Sequence, residues 1–276
     1  MPGLLSFHAH PDDESIATGG TLARFAAEGE NVVVVTATDG ALGEVHNYED
    51  AEPIRRNLAA VRREELHAAL FILGVQNQEF LGYRDSGMMG WEANFHPDCF
   101  WQAGFLEATG RLVTSIRRHR PEIVTIYDPI GGYGHPDHIQ VHRVGLAAFY
   151  LAGDESRFPL ADGEEPWRPD RLWMSVWPAS RMGVWADLGE ASGHMEPGQA
   201  RRMRTAGCPD DLVDVWMEVE DLVDRKVAAI LAHRTQIPPD WSLINVPDEH
   251  RARVLGREAF VELLTGASAT NRPALS

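Results

Sequence analysis

Four consecutive valines, Val32-Val33-Val34-Val35, constrain this chain more than any other feature. A run that is β-branched and apolar at every residue suits a strand covered on both faces, the habit of parallel sheets. Residues 3–9 form a shorter apolar run ahead of it. Between the two, Ile16, Leu22, Phe25 and Ala26 recur at helical spacing and stop at Gly29, a reasonable helix terminator. Strand, helix and strand within about 35 residues make a βαβ unit.

The rest of the chain extends this pattern. Apolar periodicity predicts helices over 54–73, 106–119, 136–150, 221–234 and 253–264. Short apolar runs predict strands at 79–81, 122–127, 171–177 and 213–219. Segments 39–53, 84–104 and 153–170, rich in Gly, Pro or acid, read as loops, and residues 180–212 show no regular pattern. A loop as long as 84–104 in a compact domain is usually functional or disordered. The expected fold class is α/β: a Rossmann-like, mostly parallel sheet flanked by helices. We expect a single domain over 1–276, with its core in 1–152 and a less regular extension in 153–276.

Composition narrows the function classes. A formal charge of −16 repels phosphate backbones and argues against nucleic-acid binding. Only two cysteines are present, Cys99 and Cys208, with no C-x-x-C spacing, which disfavours thiolate metal sites and a disulfide framework. Neither a signal-peptide pattern nor an apolar run near ~18 residues is visible, so a cytoplasmic protein without a membrane partner is expected.

Two short segments carry chemistry. His10-Pro11-Asp12-Asp13-Glu14 follows the first predicted strand, and Gly134-His135-Pro136-Asp137-His138 follows the strand at 122–127. In open α/β sheets, ligands bind beyond the carboxyl ends of the strands. Acid at a helix N-terminus is often only capping. Three carboxylates directly after His-Pro exceed that need and supply what a metal hydrolase requires: an imidazole, a carboxylate ligand and a free carboxylate. His135 and His138, three apart at a helix start, can face one site. His8 is expected to be a core histidine, and His142 a packing residue.

His10 to Glu14, together with Gly132-Tyr133-Gly134-His135-Pro136-Asp137-His138, resembles the LmbE/PIG-L family of zinc-dependent N-deacetylases. Residues 62–66, Arg84-Asp85-Ser86-Gly87-Met88 and Tyr127-Asp128-Pro129 are similar to its mycothiol branch, and residues 226–236 form a further family-like patch. That branch contains an N-acetylglucosaminyl inositol deacetylase and the mycothiol S-conjugate amidase. The resemblance implies His10, Asp13 and His138 as metal ligands, with zinc, or iron(II), as the ion. It implies Asp12 as general base, and His135 as general acid or oxyanion stabiliser, oriented by a hydrogen bond to Asp85. It implies Tyr133 at the oxyanion and Arg62 on the substrate. The expected substrate is a small aminosugar conjugate; homo-oligomerisation stays open.

Amide hydrolysis needs a nucleophile, a Lewis acid and a proton for the leaving amine, and these residues meet each need. A metal-dependent phosphohydrolase is the competing enzymatic class. A nucleotide binder is disfavoured, because His-Pro-Asp-Asp occupies the turn where G-x-G-x-x-G belongs.

Overall fold

In the computed structural model, which describes residues 3–264, the chain builds β1 (Leu4–His8), α1 (Asp13–Ala27), β2 (Val32–Thr38), α2 (Glu52–Arg55), α3 (Leu58–Leu73), β3 (Asn77–Tyr83), α4 (Phe105–His119), β4 (Ile123–Tyr127) and α5 (Pro136–Leu151). There follow β5 (Arg171–Val176), α6 (Ala179–Ala191), α7 (Pro197–Arg204), β6 (Val215–Glu218), α8 (Val223–Ala232), α9 (Asp248–Leu255) and β7 (Arg257–Leu264). The seven strands form one sheet in the order β3-β2-β1-β4-β5-β7-β6. The first five are parallel, and β7 runs antiparallel to both β5 and β6. The sheet is therefore α/β and mostly parallel, as the valine run predicts.

Both faces of that run are buried. Val33 and Val35 join Leu5, Phe7, Val124 and Ile126 beneath α4 and α5. Val32 and Val34 join Leu4 and Ile123 beneath α1, α3 and α8. A third apolar cluster, around Trp185, Met195, Leu243 and Leu255, packs the C-terminal helices together. Residues 180–212, which lack a readable pattern, contain α6 and α7. Among the described residues no helix is long and apolar enough to cross a membrane.

The helix expected over 253–264 is the largest departure. Gly256 ends α9, and residues 257–264 become β7, paired with β5 and β6. Short apolar runs do not distinguish buried strand from buried helix, and here two strand partners decide. The long helix expected over 54–73 is two pieces, α2 and α3.

Strand β7 ties the C-terminal part to the N-terminal βαβ unit through one carboxylate. Glu258 is buried and accepts hydrogen bonds from the backbone N–H of Gly20 and of Thr21, both at 2.8 Å, and from Thr21 Oγ1 at 2.5 Å. The fully buried Lys226 ammonium completes its shell. Removing one partner of a buried ion pair leaves the other charge without compensation. Glu258→Ala is therefore expected to lower unfolding free energy by about 3–5 kcal/mol, read by urea denaturation, with Lys226→Met/Glu258→Leu less destabilised than the single variant.

Candidate metal-dependent active site

Strand order reverses between β1 and β4, which are neighbours although their sequences lie far apart. The two motifs leave the carboxyl ends of these strands side by side, at the topological switch point where α/β sheets bind ligands. Behind them the strands are cross-linked by polar side chains. Ser6 Oγ meets Thr125 Oγ1 at 2.5 Å, and His8 bonds Ser6 Oγ (2.7 Å) through Nε2 and the Tyr127 hydroxyl (3.0 Å) through Nδ1. His8 is thus a satisfied core histidine, as expected.

Asp13 Oδ2 is the centre of the site. It lies 3.4 Å from His10 Nδ1 and 3.4 Å from His138 Nε2. Ligand atoms of a tetrahedral zinc with bonds of ~2.0–2.1 Å are separated by about 3.4 Å, so Asp13 stands at ligand spacing from each of the two histidines, and the three residues fit such an ion in donor type. Nitrogen atoms of His10, His135 and His138 also fall within 4.8 Å of one another. A second group, His10, Asp85, His135 and Asp137, has ligand atoms equally close. There, however, Asp137 already accepts from Ser86 N–H (2.9 Å), from Ser86 Oγ and from His10 Nε2 (3.2 Å). Asp85 accepts from Gly87 N–H (2.8 Å) and Leu42 N–H (3.2 Å). These carboxylates form the supporting shell behind His10, the arrangement that orients a ligating imidazole.

Charges are partitioned sharply. Burial disfavours the charged form of His10, but Asp85, Asp13 and Asp137 outweigh it and hold its pKa well above the usual histidine value. Burial opposes ionisation of Asp13, yet the imidazoles of His138 and His10 keep its carboxyl well below the usual range. Asp12 moves the other way: burial raises it to about 6, against the pull of Arg62. Burial, with His10 and His138 adding to it, lowers His135 to about 4. His138 is also lowered to about 4, chiefly by burial. Neutral His135 uses Nδ1 to accept from Asp137 N–H (3.1 Å), which puts its proton on Nε2.

The remaining expected residues fall as follows. Tyr133 stands at the cleft mouth, 63% exposed, with its hydroxyl 3.5 Å from His138 Nε2. Asp85 lies 3.5 Å from His10 Nε2 and, among the described hydrogen bonds, makes none to His135. Its place is beside His10, because the Gly87 and Leu42 amides hold it there. Arg62 does line the cavity, but it is buried and committed to the protein. It donates to Gly40 O (2.7 Å) and Pro11 O (2.6 Å) and lies 3.1 Å from Asp12 Oδ1. It clamps the first motif, a role that its backbone partners hide from a sequence reading. His142 packs, with Nδ1 on Tyr127 O at 2.9 Å. Cys99 is buried, whereas Cys208 lines the cavity.

The cavity holds about 870 Å³. Its lining includes His10, Asp12, Asp13, His135 and His138 together with the apolar Trp177, Met182, Trp185 and Trp241. Trp91, from the long loop 84–104, lines it as well. That loop is pinned by Asn94, whose side chain bonds Ser86 O and Gly90 N–H. Sequence reasoning gave no role to Asp137, Ser86 or Asn94; the first lay in plain view inside His-Pro-Asp-His.

The chain is similar to known proteins over nearly its whole length. Residues 5–149 match the PIG-L family, described as GlcNAc-PI de-N-acetylase. A 1D-myo-inositol 2-acetamido-2-deoxy-alpha-D-glucopyranoside deacetylase of Thermobispora bispora is 40% identical over 98% of this chain and 89% of its own length. N,N'-diacetylchitobiose deacetylase from Pyrococcus horikoshii shares the fold, with a TM-score of 0.68 at 21% identity over 99% of this chain and 88% of that one. So does the 4-carboxy-2-hydroxymuconate hydratase from Pseudomonas putida, with a TM-score of 0.61 at 19% identity over 99% and 100%. The fold alone therefore does not select the reaction.

Asp13→Ala is expected to purify without stoichiometric bound metal, and His142→Ala to retain it, as measured by inductively coupled plasma mass spectrometry after metal loading. Full metal retention by Asp13→Ala would move the centre to the His10, Asp85, His135 and Asp137 group.

Proposed function

The chain belongs to the PIG-L family, and we propose that it is a zinc-dependent N-deacetylase of an N-acetylglucosaminyl conjugate, in the first place the inositol conjugate. The observation that carries this reading is the convergence of His10, Asp13 and His138 beside a separate, elevated carboxylate at Asp12. The inositol conjugate comes from the activity named for the Thermobispora bispora relative, which matches nearly the whole chain.

His10, Asp13 and His138 would hold the zinc, which would supply Lewis-acid activation of the attacking water. The chain's own residues supply the rest. Arg62 holds one oxygen of Asp12, leaving the other to accept a proton from the attacking water. With a pKa near 6, Asp12 is a carboxylate at neutral pH yet returns a proton readily to the leaving amine. His135 fits the oxyanion role better than that of a cationic acid, because at neutral pH it is uncharged and carries its proton on Nε2. Donors aimed at developing charge typically contribute about 10²–10³ in rate. The Tyr133 hydroxyl, 3.5 Å from His138 Nε2, is proposed to meet the same charge.

One observation favours a second substrate. The indole wall of Trp177, Trp185 and Trp241 gives the cavity apolar surface beyond what a sugar and a polyol require, which suits a thiol-conjugate amide. The phosphohydrolase reading loses ground. Among the described residues the two candidate metal groups share His10 and His135 and do not form the separate pair of a two-metal clamp.

The test is amine release from N-acetylglucosaminyl inositol and from thiol-conjugate forms by the zinc-loaded protein. Asp12→Ala is expected to lose about 10²–10³ in kcat. Activity requires the Asp12 carboxylate, so kcat/KM should rise with pH through about 6 and level off above it. No amine from any amide, from protein with stoichiometric zinc, would overturn the assignment.

A further inference from the structure

Two fully buried ionisable residues have no part in the chemistry above. Glu14, the last residue of the first motif, accepts from Ser15 Oγ (2.5 Å) and from His233 Nε2 (2.8 Å) through Oε1, and from Asp12 N–H (3.0 Å) through Oε2. His233 follows α8 inside the family-like patch 226–236, and its Nδ1 has no hydrogen-bond partner. A buried carboxylate–imidazole pair is weak as a stabilising device, since an apolar pair of the same shape often does as well. Its use is found in what it touches.

Asp12 has φ 137° and ψ −32°, a conformation that residues with a Cβ avoid. Such a backbone persists only when its surroundings hold it from several sides. Arg62 holds the Pro11 carbonyl and the Asp12 carboxylate from one side. Glu14 holds the Asp12 N–H from the other, and His233 holds Glu14. The anchor is itself rigid. Thr235 donates its N–H (2.7 Å) and Oγ1 (2.6 Å) to Glu65 of α3, and Asn47 donates to Arg234 O (2.9 Å).

We infer that His233 is a positioning residue for proton transfer: through Glu14 it fixes the strained Asp12 backbone and so aims the Asp12 carboxylate. This rests on the reading of Asp12 as the general base. A residue acting only through Asp12 has nothing to act on once that carboxylate is gone, whereas a residue that merely stabilises the fold affects any background alike.

The experiment is a double-mutant cycle on the zinc-loaded enzyme with N-acetylglucosaminyl inositol, recording kcat, KM, bound zinc and thermal midpoint. His233→Phe, which keeps the ring but loses the donor, is expected to lower kcat by about 10–100-fold with KM nearly unchanged. His233→Gln, which still presents an N–H, should recover most of that loss. In the Asp12→Ala background neither substitution should lower the residual rate further. The inference is overturned if His233→Phe stays within about twofold of wild type, if it lowers both backgrounds by the same factor, or if His233→Gln is as impaired as Phe. Should His233→Phe not fold, His233→Asn, too short to reach Glu14, takes its place in the cycle. A wild type without activity, or an Asp12→Ala that matches wild type, would instead fail the functional reading. The crystal structure of the His233 variant then decides: Asp12 relaxing out of positive φ supports the tether, and an unmoved Asp12 overturns it.

Discussion

The parallel pairing of β1 with β4 is the constraint on which everything else rests. The two strands lie 119 residues apart in the chain, and each is buried on both faces, so neither has an alternative exposed register to slip into. Inside that pairing a polar seam, Ser6 with Thr125 and His8 with Tyr127, adds directional bonds to non-directional burial. A slip by one residue would part all of these at once. Because the strand ends are fixed, so are the starts of α1 and α5, and His10 and His138 meet there without any flexible reach.

From that frame the site gathers charge that would not otherwise be tolerated. Asp13 sits between two imidazoles, and Asp137 and Asp85 stand behind one of them, each with backbone amides or a serine in support. Anionic groups buried this densely persist when hydrogen-bonded or matched by a cation. The donor set therefore calls for positive charge at its centre, whether from a protonated His10 or from a divalent ion, and this couples metal affinity to pH.

How much of this was legible in the sequence differs by kind of interaction. Val32 to Val35 announced a strand buried on both faces, because burial on two sides leaves no alternation to misread. The two His-Pro-Asp segments announced a site, because local sequence packs ligand types at strand ends. The β7 strand was misread as helix, since Ala259, Phe260 and Val261 fit either period and the deciding partner, β5, lies far back in the chain. The clamp that Arg62 makes on the first motif is not legible in sequence, because its acceptors are backbone carbonyls, which carry no signature there. The neutrality of His135 follows from burial beside His10 and His138, a property of the assembled site alone. His233 and Glu14 are 219 residues apart, and only the family-like patch around His233 marked it.

Adjacent aspartates with the same chemistry end in opposite electrostatic states, and the backbone between them explains why. Asp13 is the first residue of α1, and its carboxylate turns back between His10 and His138, where it is held ionised. At φ 137° Asp12 points elsewhere, to Arg62, in a buried setting that raises it to about 6. Glycine would adopt this φ without strain but would carry no carboxylate. A carboxylate-bearing residue must then be forced into the conformation, and two separate ties, Arg62 and Glu14, do so. On the proposed roles of these two residues, backbone strain at position 12 separates metal binding from proton transfer within a single dipeptide, the division of labour that paired carboxylates provide in hydrolytic sites.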